Sequence, residues 1–276
     1  MKNVVVVTGA ASGIGRAIAY RMALESPIVI LDRNAAPLAD TERAIQALGG
    51  VVKSVVGDIA ERSTHKLAVQ TAESMGVLTG WVNCAGIGAI TPLHEDPKDP
   101  GIVERAFQVN QMGTFWGCTE AVSNFISRKT NGSIVNISSV HGRGAYRDHA
   151  VYEMTKAAID ALTRNVAVTY GPYGIRANAV APGAIMSENM IQSFVDAPDG
   201  KVRREHLETT TPLKRIGEPG EIAEVVEFLI SGRSSFLTGQ SIAVDGGWTS
   251  ALGVSDLDEG LAKTFHRDQK TGLKLD

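Results

Sequence analysis

Short runs of apolar residues alternate along the chain with longer segments of helical periodicity. The first run, at 4–7, is four consecutive valines, which is typical of a strand covered on both faces. Runs that predict strands span 4–7, 28–31, 51–56, 81–83, 133–137, 175–180 and 241–244. Segments that predict helices span 14–24, 36–48, 63–74, 103–128, 151–170 and 221–229. The alternation predicts a single α/β domain with a Rossmann-like, doubly wound parallel sheet of seven strands flanked by helices.

Two segments do not follow this alternation. Residues 183–217 are rich in polar side chains and contain no strand pattern, which is typical of a functional lid or a mobile loop. Residues 249–276 are mostly polar, and they either pack on a partner subunit or are disordered. We expect one domain over 1–248 that includes the lid, followed by a tail of unknown role.

Composition excludes several classes of function. With 43% hydrophobic and 21% charged residues and a net charge of -3, the chain has no electrostatic footprint for nucleic acid. Two cysteines predict no disulfide framework, and six histidines without ligand-type spacing predict no metal site. The apolar run at 4–7 is too short for a secretion signal or a membrane span. We therefore expect a cytoplasmic protein.

A glycine-rich turn directly follows the first predicted strand. Residues 8–15 read Thr-Gly-Ala-Ala-Ser-Gly-Ile-Gly, and a helix begins within them. Glycines permit a tight turn and close approach of a phosphate, while the free N–H groups of the helix N-terminus bind anions. This pattern predicts that a dinucleotide is bound, the alternative being a turn without a ligand. The residues assigned to that contact are Gly9, Ser12, Gly13, Ile14 and Gly15.

Acidic residues end the second predicted strand and follow the third. Asp32 is placed to accept hydrogen bonds from an adenosine ribose, and its charge would repel the additional phosphate of NADP, so the sequence favours NAD. Arg33 either binds that phosphate or is a solvated cation, which we favour because Ser12 leaves the glycine loop without a basic residue. Asp58 either caps a turn or contacts adenine, and Ile59 joins it in the predicted cofactor site.

The fourth predicted strand ends in small residues, where a cofactor passes over the sheet. Asn83, Ala85 and Gly86 are therefore assigned to the cofactor site. Cys84 lies among them without an activating histidine in sequence. We interpret it as a small buried hydrophobic residue and not as a nucleophile.

Three side chains are candidates for proton transfer. Tyr152 and Lys156 are four residues apart in a predicted helix, so they lie on one face. Ser139 follows the fifth predicted strand, and its neighbour Ser138 is the alternative hydroxyl. An ammonium group near a phenol stabilises the phenolate, which favours general acid/base catalysis on an alcohol.

These motifs, in this order, resemble the short-chain dehydrogenase/reductase family over residues 3–248. They are Thr8-Gly9-x-x-x-Gly13-x-Gly15, Asn83-Cys84-Ala85-Gly86, Asn110, Ser139, Tyr152-x-x-x-Lys156, Pro182-Gly183 and Asp245-Gly246-Gly247. Two positions depart from the family pattern: Cys84 stands where asparagine is more common, and Ser187 where threonine is common.

The resemblance implies roles for individual residues. It implies that Tyr152 exchanges the alcohol proton, that Tyr152 and Lys156 both point at the nicotinamide ribose of the cofactor, whose hydroxyls Lys156 holds, and that Ser139 stabilises the substrate oxygen. It further implies that Asn110 kinks its helix and holds a proton-relaying water, although by its residue type alone it is equally a tolerated polar side chain. The hydroxyl of Ser187 would bind the nicotinamide carboxamide. The cofactor residues expected in this region are Pro182, Gly183, Ile185 and Ser187.

Substrate selection is expected from three loops, at 87–100, 140–151 and 183–217. His141 and His149 flank Arg143 and Arg147 in the second loop, so we hypothesise that the histidines bind a polar or anionic substrate. The alternative is a solvated polar loop. The resemblance also implies a homo-oligomer, a dimer or tetramer, formed through helices 103–128 and 151–170.

Together these features predict an NAD-dependent oxidoreductase that interconverts a secondary alcohol and a ketone. One alternative is an NAD(P)H-dependent carbonyl reductase in biosynthesis, which would use the same residues. Another is a cofactor-sensing protein without turnover, since fold does not fix function. The presence of Ser139, Tyr152, Lys156 and Asn110 argues against the sensor, because a sensor has no need of all four.

Overall fold

The computed structural model describes residues 2–251, so most of the predicted tail at 249–276 lies outside the described residues. A seven-stranded parallel sheet in the order β3-β2-β1-β4-β5-β6-β7 forms its centre. The strands are β1 Asn3–Thr8, β2 Ile28–Asp32, β3 Val52–Val56, β4 Val77–Asn83, β5 Gly132–Ile137, β6 Ile175–Pro182 and β7 Ser241–Val244. This arrangement confirms the predicted doubly wound, single-domain α/β fold.

Helices cover both faces of the sheet. They are α1 Gly13–Ala23, α2 Ala35–Ala47, α3 Arg62–Glu73, α4 Ile102–Ala106, α5 Gly113–Arg128, α6 Ala150–Tyr170, α7 Glu188–Asp196, α8 Gly200–Thr210 and α9 Pro219–Ile230. None of the helices within residues 2–251 is both long and apolar enough to cross a bilayer.

The valines of β1 supply both halves of the core. Val5 and Val7 pack in a cluster that includes residues of α1 and α9, whereas Val6 packs in a second cluster with residues of α3 and α5. All three are at most 2% exposed. Since successive side chains of a strand point to opposite faces, a run of valines without polar residues is what a strand between two helical layers requires.

The position of β1 determines where the site lies. β1 pairs with β2 on one side and with β4 on the other, so the chain order reverses around it. In open parallel sheets the carboxyl ends of the strands beside such a reversal form a crevice that binds ligands. The glycine-rich turn and the end of β4 both lie at this crevice.

The predicted helix at 103–128 is interrupted. A π-helical segment, Phe107–Met112, separates α4 from α5, with Asn110 inside it. The side-chain amide of Asn110 is hydrogen-bonded to Ile87 and Thr155, which lie outside this helix. The distortion therefore depends on tertiary contacts, which cannot be predicted from the helical periodicity of the sequence.

Two further boundaries differ from the sequence prediction. β4 begins at Val77, four residues before the predicted start, because Thr79 and Gly80 interrupt the apolar run. The segment 183–217 contains α7 and α8 where the sequence indicated only a polar lid.

The two ends of this lid meet just beyond the end of β6. Ile185 and Gly217 form a parallel bridge. Met186 N donates to Gly217 O at 2.8 Å, and Gly217 N donates to Ala184 O at 3.0 Å. The lid is therefore a long loop whose two ends are hydrogen-bonded to each other.

Candidate active site

A cleft of about 480 Å³ opens at the carboxyl ends of the strands. It brings together most of the residues that the sequence assigned to the cofactor and to proton transfer. They are Gly9, Ser12, Gly13, Ile14, Gly15, Asp32, Asp58, Ile59, Ala85, Gly86, Ser139, Tyr152, Lys156, Pro182, Gly183, Ile185 and Ser187.

The glycine-rich turn is packed too closely for larger residues. Gly9 has φ +72°, and a Cβ atom on it would lie 2.7 Å from Ala85 Cα. A Cβ on Gly15 would lie 2.0 Å from the carbonyl oxygen of Gly9. Thr8 Oγ1 accepts from the N–H groups of Cys84 and Ala85 at 3.0 and 3.1 Å, which fastens the turn to the end of β4. The start of α1 is thereby held against the sheet, with its first N–H groups at the cleft.

Two carboxylates hold the turns that follow β2 and β3 at the cleft. Asp32 Oδ2 accepts from Ala11 N at 3.2 Å, and Asp32 Oδ1 accepts from Asn34 N at 2.9 Å. Asp58 Oδ1 accepts from Ala60 N at 2.9 Å, which is the turn cap anticipated for it. Both carboxylates also line the cleft, together with Arg33.

Lys156 and Tyr152 lie on one face of α6. Lys156 is 5% exposed, and its Nζ donates to Ile137 O at 2.8 Å and lies 5.5 Å from the centre of the Tyr152 ring. A buried ammonium group with a single backbone acceptor keeps hydrogens for further partners, because a lysine has three N–H donors.

The two serines after β5 have different environments. Ser138 Oγ donates to Lys156 O at 3.1 Å, so its hydroxyl proton is used within the protein. Ser139 Oγ accepts from His141 N at 3.2 Å, which leaves its own proton available to a ligand oxygen. Both line the cleft, and these bonds favour Ser139 as the hydroxyl that donates to a substrate.

Asn110 is fully buried beside the cleft. Its Oδ1 accepts from Ile87 N at 2.8 Å, and its Nδ2 donates to Ile87 O at 2.9 Å and to Thr155 Oγ1 at 3.1 Å. Thr155 Oγ1 in turn donates to the carbonyl of Tyr152 at 2.7 Å. The side chain of Asn110 therefore connects the loop after β4 to the turn of α6 that carries Tyr152.

The sequence assigned Asn83 to the cofactor site, whereas its side chain is not part of the lining of the cleft. Asn83 Oδ1 accepts from Trp81 Nε1 at 2.8 Å, and Asn83 Nδ2 donates to Asn136 Oδ1 at 2.8 Å. The side chain is 4% exposed and lies in the core beneath the cleft, because the last residues of β4 and β5 face each other there. Its amide supports the strand ends and does not line the cleft.

Cys84 lines the cleft, and burial raises the pKa of its thiol to about 12. A thiol that stays protonated is a poor nucleophile. This agrees with the interpretation of Cys84 as a small hydrophobic residue.

His141 and His149 lie beside Tyr152 outside the lined cleft. The ring centre of His141 is 5.5 Å from those of Tyr152 and His149. Burial, followed by the charge of His149, lowers the pKa of His141. Arg143 and Arg147 form ion pairs with Asp160 and Asp148 at 3.9 and 3.4 Å, so the two guanidinium groups between the histidines already have acidic partners.

The loop that carries these histidines is joined to the loop after β4. Thr91 N donates to Asp148 O at 2.7 Å, and Thr91 Oγ1 accepts from Val151 N at 3.2 Å. Two of the three loops predicted to select the substrate are therefore hydrogen-bonded to each other.

Several cleft residues were not assigned by sequence reasoning. Arg33, Cys84 and Ser138 were weighed and given other interpretations. The others are Asn34, Gly57, Ile87, Gly88, Val109, Ile137, Asn189 and Met190. Asn189 and Met190 follow Ser187 on the first turn of α7, and a helical reading of the lid would have placed them at the cleft. Within residues 2–251, no group of three or more His, Cys, Asp or Glu side chains is arranged to hold a metal ion.

Known proteins resemble this chain along most of its length. A family model described as Enoyl-(Acyl carrier protein) reductase matches residues 9–249. The 3beta-hydroxysteroid dehydrogenase 1 of Eggerthella lenta is 35% identical over 89% of this chain and 93% of its own length. The 2-(S)-hydroxypropyl-CoM dehydrogenase 3 of Xanthobacter autotrophicus is 36% identical over 91% and 98%.

A solved structure extends the likeness to three dimensions. A gluconate 5-dehydrogenase from Burkholderia cenocepacia, in complex with NADP and tartrate, superposes with a TM-score of 0.82. It is 32% identical in sequence, and the match covers 91% of this chain and 96% of that one.

Proposed function

The chain belongs to the short-chain dehydrogenase/reductase family of oxidoreductases, and from this premise we propose that it interconverts a secondary alcohol and a ketone with NAD as cofactor. The observation that carries the proposal is the position of Tyr152 and Lys156, which lie on one face of α6 in the same cleft as the glycine-rich turn. This arrangement puts an acid/base pair and a phosphate-binding loop within reach of one ligand.

The cleft fits a dinucleotide by the chemistry of its donors and acceptors. The N–H groups at the start of α1 suit a pyrophosphate, and the close packing of Gly9 and Gly15 leaves no side chain between backbone and ligand. The carboxylate of Asp32 suits ribose hydroxyls. A bound nicotinamide would supply the hydride acceptor for alcohol oxidation and the hydride donor for ketone reduction.

The chain's own residues handle the proton. In oxidation, the phenolic oxygen of Tyr152 takes the hydroxyl proton of the alcohol, and in reduction it returns a proton to the carbonyl oxygen. Ser139 donates its free hydroxyl proton to the same oxygen and stabilises its developing charge. Lys156 stabilises the phenolate, and its remaining N–H donors hold the nicotinamide ribose.

Asn110 and Ser187 are proposed to support the reaction without taking the proton themselves. Asn110 holds the loop after β4 against the helix that carries Tyr152, through its bonds to Ile87 and Thr155. The water that the family resemblance implies as a proton relay would lie beside Asn110. Ser187 Oγ accepts from Met190 N at 3.3 Å as the N-cap of α7, which leaves its proton for the nicotinamide carboxamide.

The choice of NAD depends on Asp32. Its carboxylate is held at the end of β2 by two backbone N–H groups, so a 2′-phosphate in its place would meet a fixed negative charge. Arg33 also lines the cleft, and this favours a second candidate, an NADPH-dependent carbonyl reductase. The ratio of Kd values for NAD and NADP separates the two.

We also propose that the substrate carries polar groups that His141 and His149 contact. The support is their position beside Tyr152. A homo-oligomer is proposed as well, because α5 and α6 expose apolar side chains to solvent. These include Phe115, Ile126, Met154 and Val168, which are 41%, 39%, 58% and 81% exposed. Light scattering on the full chain would give the number of subunits.

The activity is tested by absorbance of reduced nicotinamide with NAD and a panel of secondary alcohols and polyols. Turnover on at least one alcohol, lost in Tyr152→Phe, is the expected result. The substitution removes one oxygen atom and keeps the ring, so the variant should still bind NAD. Binding of NAD without turnover on any alcohol or ketone would support the cofactor-sensing alternative instead.

A further inference from the structure

The lid touches the glycine-rich turn through one acidic side chain. Glu188 is the first residue of α7, and its Oε2 accepts a hydrogen bond from Gly13 N at 2.7 Å across 175 residues of sequence. Its Oε1 accepts from the guanidinium group of Arg16 on the next turn of α1. One carboxylate is thus held by a backbone N–H and a cation at the start of the same helix.

These partners are of the kind that bind a phosphate. Gly13 is the first residue of α1, and its N–H belongs to the donors that a helix leaves unpaired at its N-terminus. A carboxylate is favoured at this end of a helix for the same reason as a phosphate, since both are anions facing a partial positive charge. The side chain of Glu188 therefore occupies the position proposed above for a cofactor pyrophosphate.

Glu188 and a phosphate cannot both use this position. One N–H carries one hydrogen, and two anions on the same donor repel each other. Space is also limited, because a Cβ on Gly13 would lie 3.3 Å from Ser187 Cβ and 3.6 Å from Glu188 Oε2. The start of α7 thus rests directly on the turn, so the carboxylate has to leave when a phosphate arrives.

We infer that Glu188 determines the affinity of this protein for its dinucleotide by standing in for a phosphate at Gly13 and Arg16. This inference rests on the proposed function, because it presumes that the turn binds a pyrophosphate. Binding exchanges one anion for another, frees the start of α7 from the turn, and leaves Arg16 to pair with the incoming phosphate. Glu188 acts on binding and touches no reacting atom.

The test is equilibrium binding of NAD, ADP and adenosine to the wild-type chain and to Glu188→Gln. The substitution keeps the size of the side chain and removes the charge that competes with phosphate. We expect Kd for NAD and for ADP to fall about three- to fivefold, as for the loss of one charge at a helix N-terminus. Adenosine carries no phosphate, so its Kd should not change.

Glu205→Gln is the matched control. Glu205 lies on α8 of the same lid, and its carboxylate is 3.8 Å from Lys201 and exposed to solvent. The control removes one negative charge from the lid without touching the turn, so its Kd values should equal those of the wild type. Hydrogen exchange of residues 187–196 gives a second readout: without ligand, the start of α7 should exchange faster in Glu188→Gln than in the control.

The outcomes distinguish the inference from the proposed function. Unchanged Kd for NAD in Glu188→Gln, with normal wild-type binding, overturns the inference and leaves the proposed function standing. Weaker NAD binding in the variant also overturns it, because Glu188 would then hold the lid over the cofactor. Absence of dinucleotide binding by the wild-type chain overturns both. Glu188→Asp, which is one methylene shorter, should show part of the gain if Glu188→Gln does not fold.

Discussion

The ammonium group of Lys156 lies 5.5 Å from the centre of the Tyr152 ring while it donates to the carbonyl of Ile137 at 2.8 Å. The end of β5 therefore fixes the cation, and the cation in turn faces the phenol. Activity should depend on this backbone contact as well as on the two side chains, since a misplaced cation would no longer stabilise a phenolate.

Replacing Lys156 should impair both turnover and cofactor binding. Lys156→Met keeps much of the side-chain volume and removes the charge and all three donors, so we expect kcat to fall about 100-fold or more. Kd for NAD should rise in the same variant, because the proposed ribose contacts are lost. Tyr152→Phe is the matched comparison, with a similar loss of kcat and a Kd within about twofold of wild type. Equal Kd values in both variants would contradict the proposed ribose contact.

Removing the amide of Asn110 should cost stability and activity together. Asn110→Ala leaves the N–H and carbonyl of Ile87 without their partner, and we expect the free energy of unfolding to fall by about 2–4 kcal/mol in urea titrations. Turnover should also fall, with KM for the alcohol changed less than kcat, because the turn of α6 that carries Tyr152 and Thr155 loses its link to Asn110 and to the loop after β4. Asn124→Ala serves as control: Asn124 is on α5, bonded to Glu73 and far along the chain from this loop. Loss of kcat to the same extent in both would argue against a positioning role.

Neutralising Asp32 should shift the cofactor preference. Asp32→Asn keeps an oxygen for Asn34 N, loses the acceptor of Ala11 N, and removes the charge that repels a 2′-phosphate. We expect the ratio of Kd for NADP to Kd for NAD to fall about tenfold, measured by fluorescence titration. Asp58→Asn is the control, because it removes a carboxylate from the turn after β3 and keeps the carboxylate of Asp32. This variant should leave the ratio of the two Kd values unchanged. A wild-type chain that binds NADPH more tightly than NADH would contradict the role given to Asp32.

The histidines beside Tyr152 should affect the substrate and leave the cofactor alone. In a His141→Ala, His149→Ala double variant we expect kcat/KM for the true substrate to fall about tenfold or more, and Kd for NAD to stay constant. Unchanged kcat/KM would leave only the alternative interpretation, a solvated polar loop.

His65 should make stability fall at acid pH. Burial lowers the pKa of its imidazole below the ordinary 6.5, and its Nε2 lies 2.8 Å from Ile59 O. Because the unfolded chain binds a proton at higher pH than the folded one, the contribution is complete above about pH 6.5 and is lost as pH falls, by at most about 1.4 kcal/mol per pH unit. The free energy of unfolding, measured by urea titrations at several pH values, should fall less steeply with decreasing pH in His65→Gln than in the wild type. An equal pH dependence in the variant and the wild type would mean that groups other than His65 cause the loss of stability at acid pH.

Sequence periodicity predicted the sheet well because β-branched runs report burial on two faces directly. It failed where an element depends on distant partners. The π-helical segment around Asn110 requires Ile87 and Thr155, and the inward direction of Asn83 requires Asn136 on the neighbouring strand. Such pairs are set by strand register and helix packing, which a local pattern does not contain.

Much of the cleft was predictable because most of its motifs sit at the end of a strand, where the fold gathers them, and Tyr152 and Lys156 share one face of α6 beside them. Residues contributed by α7 were not, since a polar segment gives a weak helical signal. Glu188 is an example: its sequence context is an ordinary acidic residue in the first turn of a helix, and only the folded chain brings it to Gly13.

The bridge between Ile185 and Gly217 should allow the segment between these two residues to be replaced by another one. Because Ile185, just past the end of β6, pairs with Gly217, just before α9 begins, the lid starts and ends at adjacent points, and the entropy of closing this loop grows only slowly with its length. Insertions or whole replacements between these two residues would leave the register of β6 and the first turn of α9 intact. A chimera that keeps Ser187 and carries another lid between Ile185 and Gly217 should therefore fold and acquire a different substrate range without redesign of the proton-transfer residues.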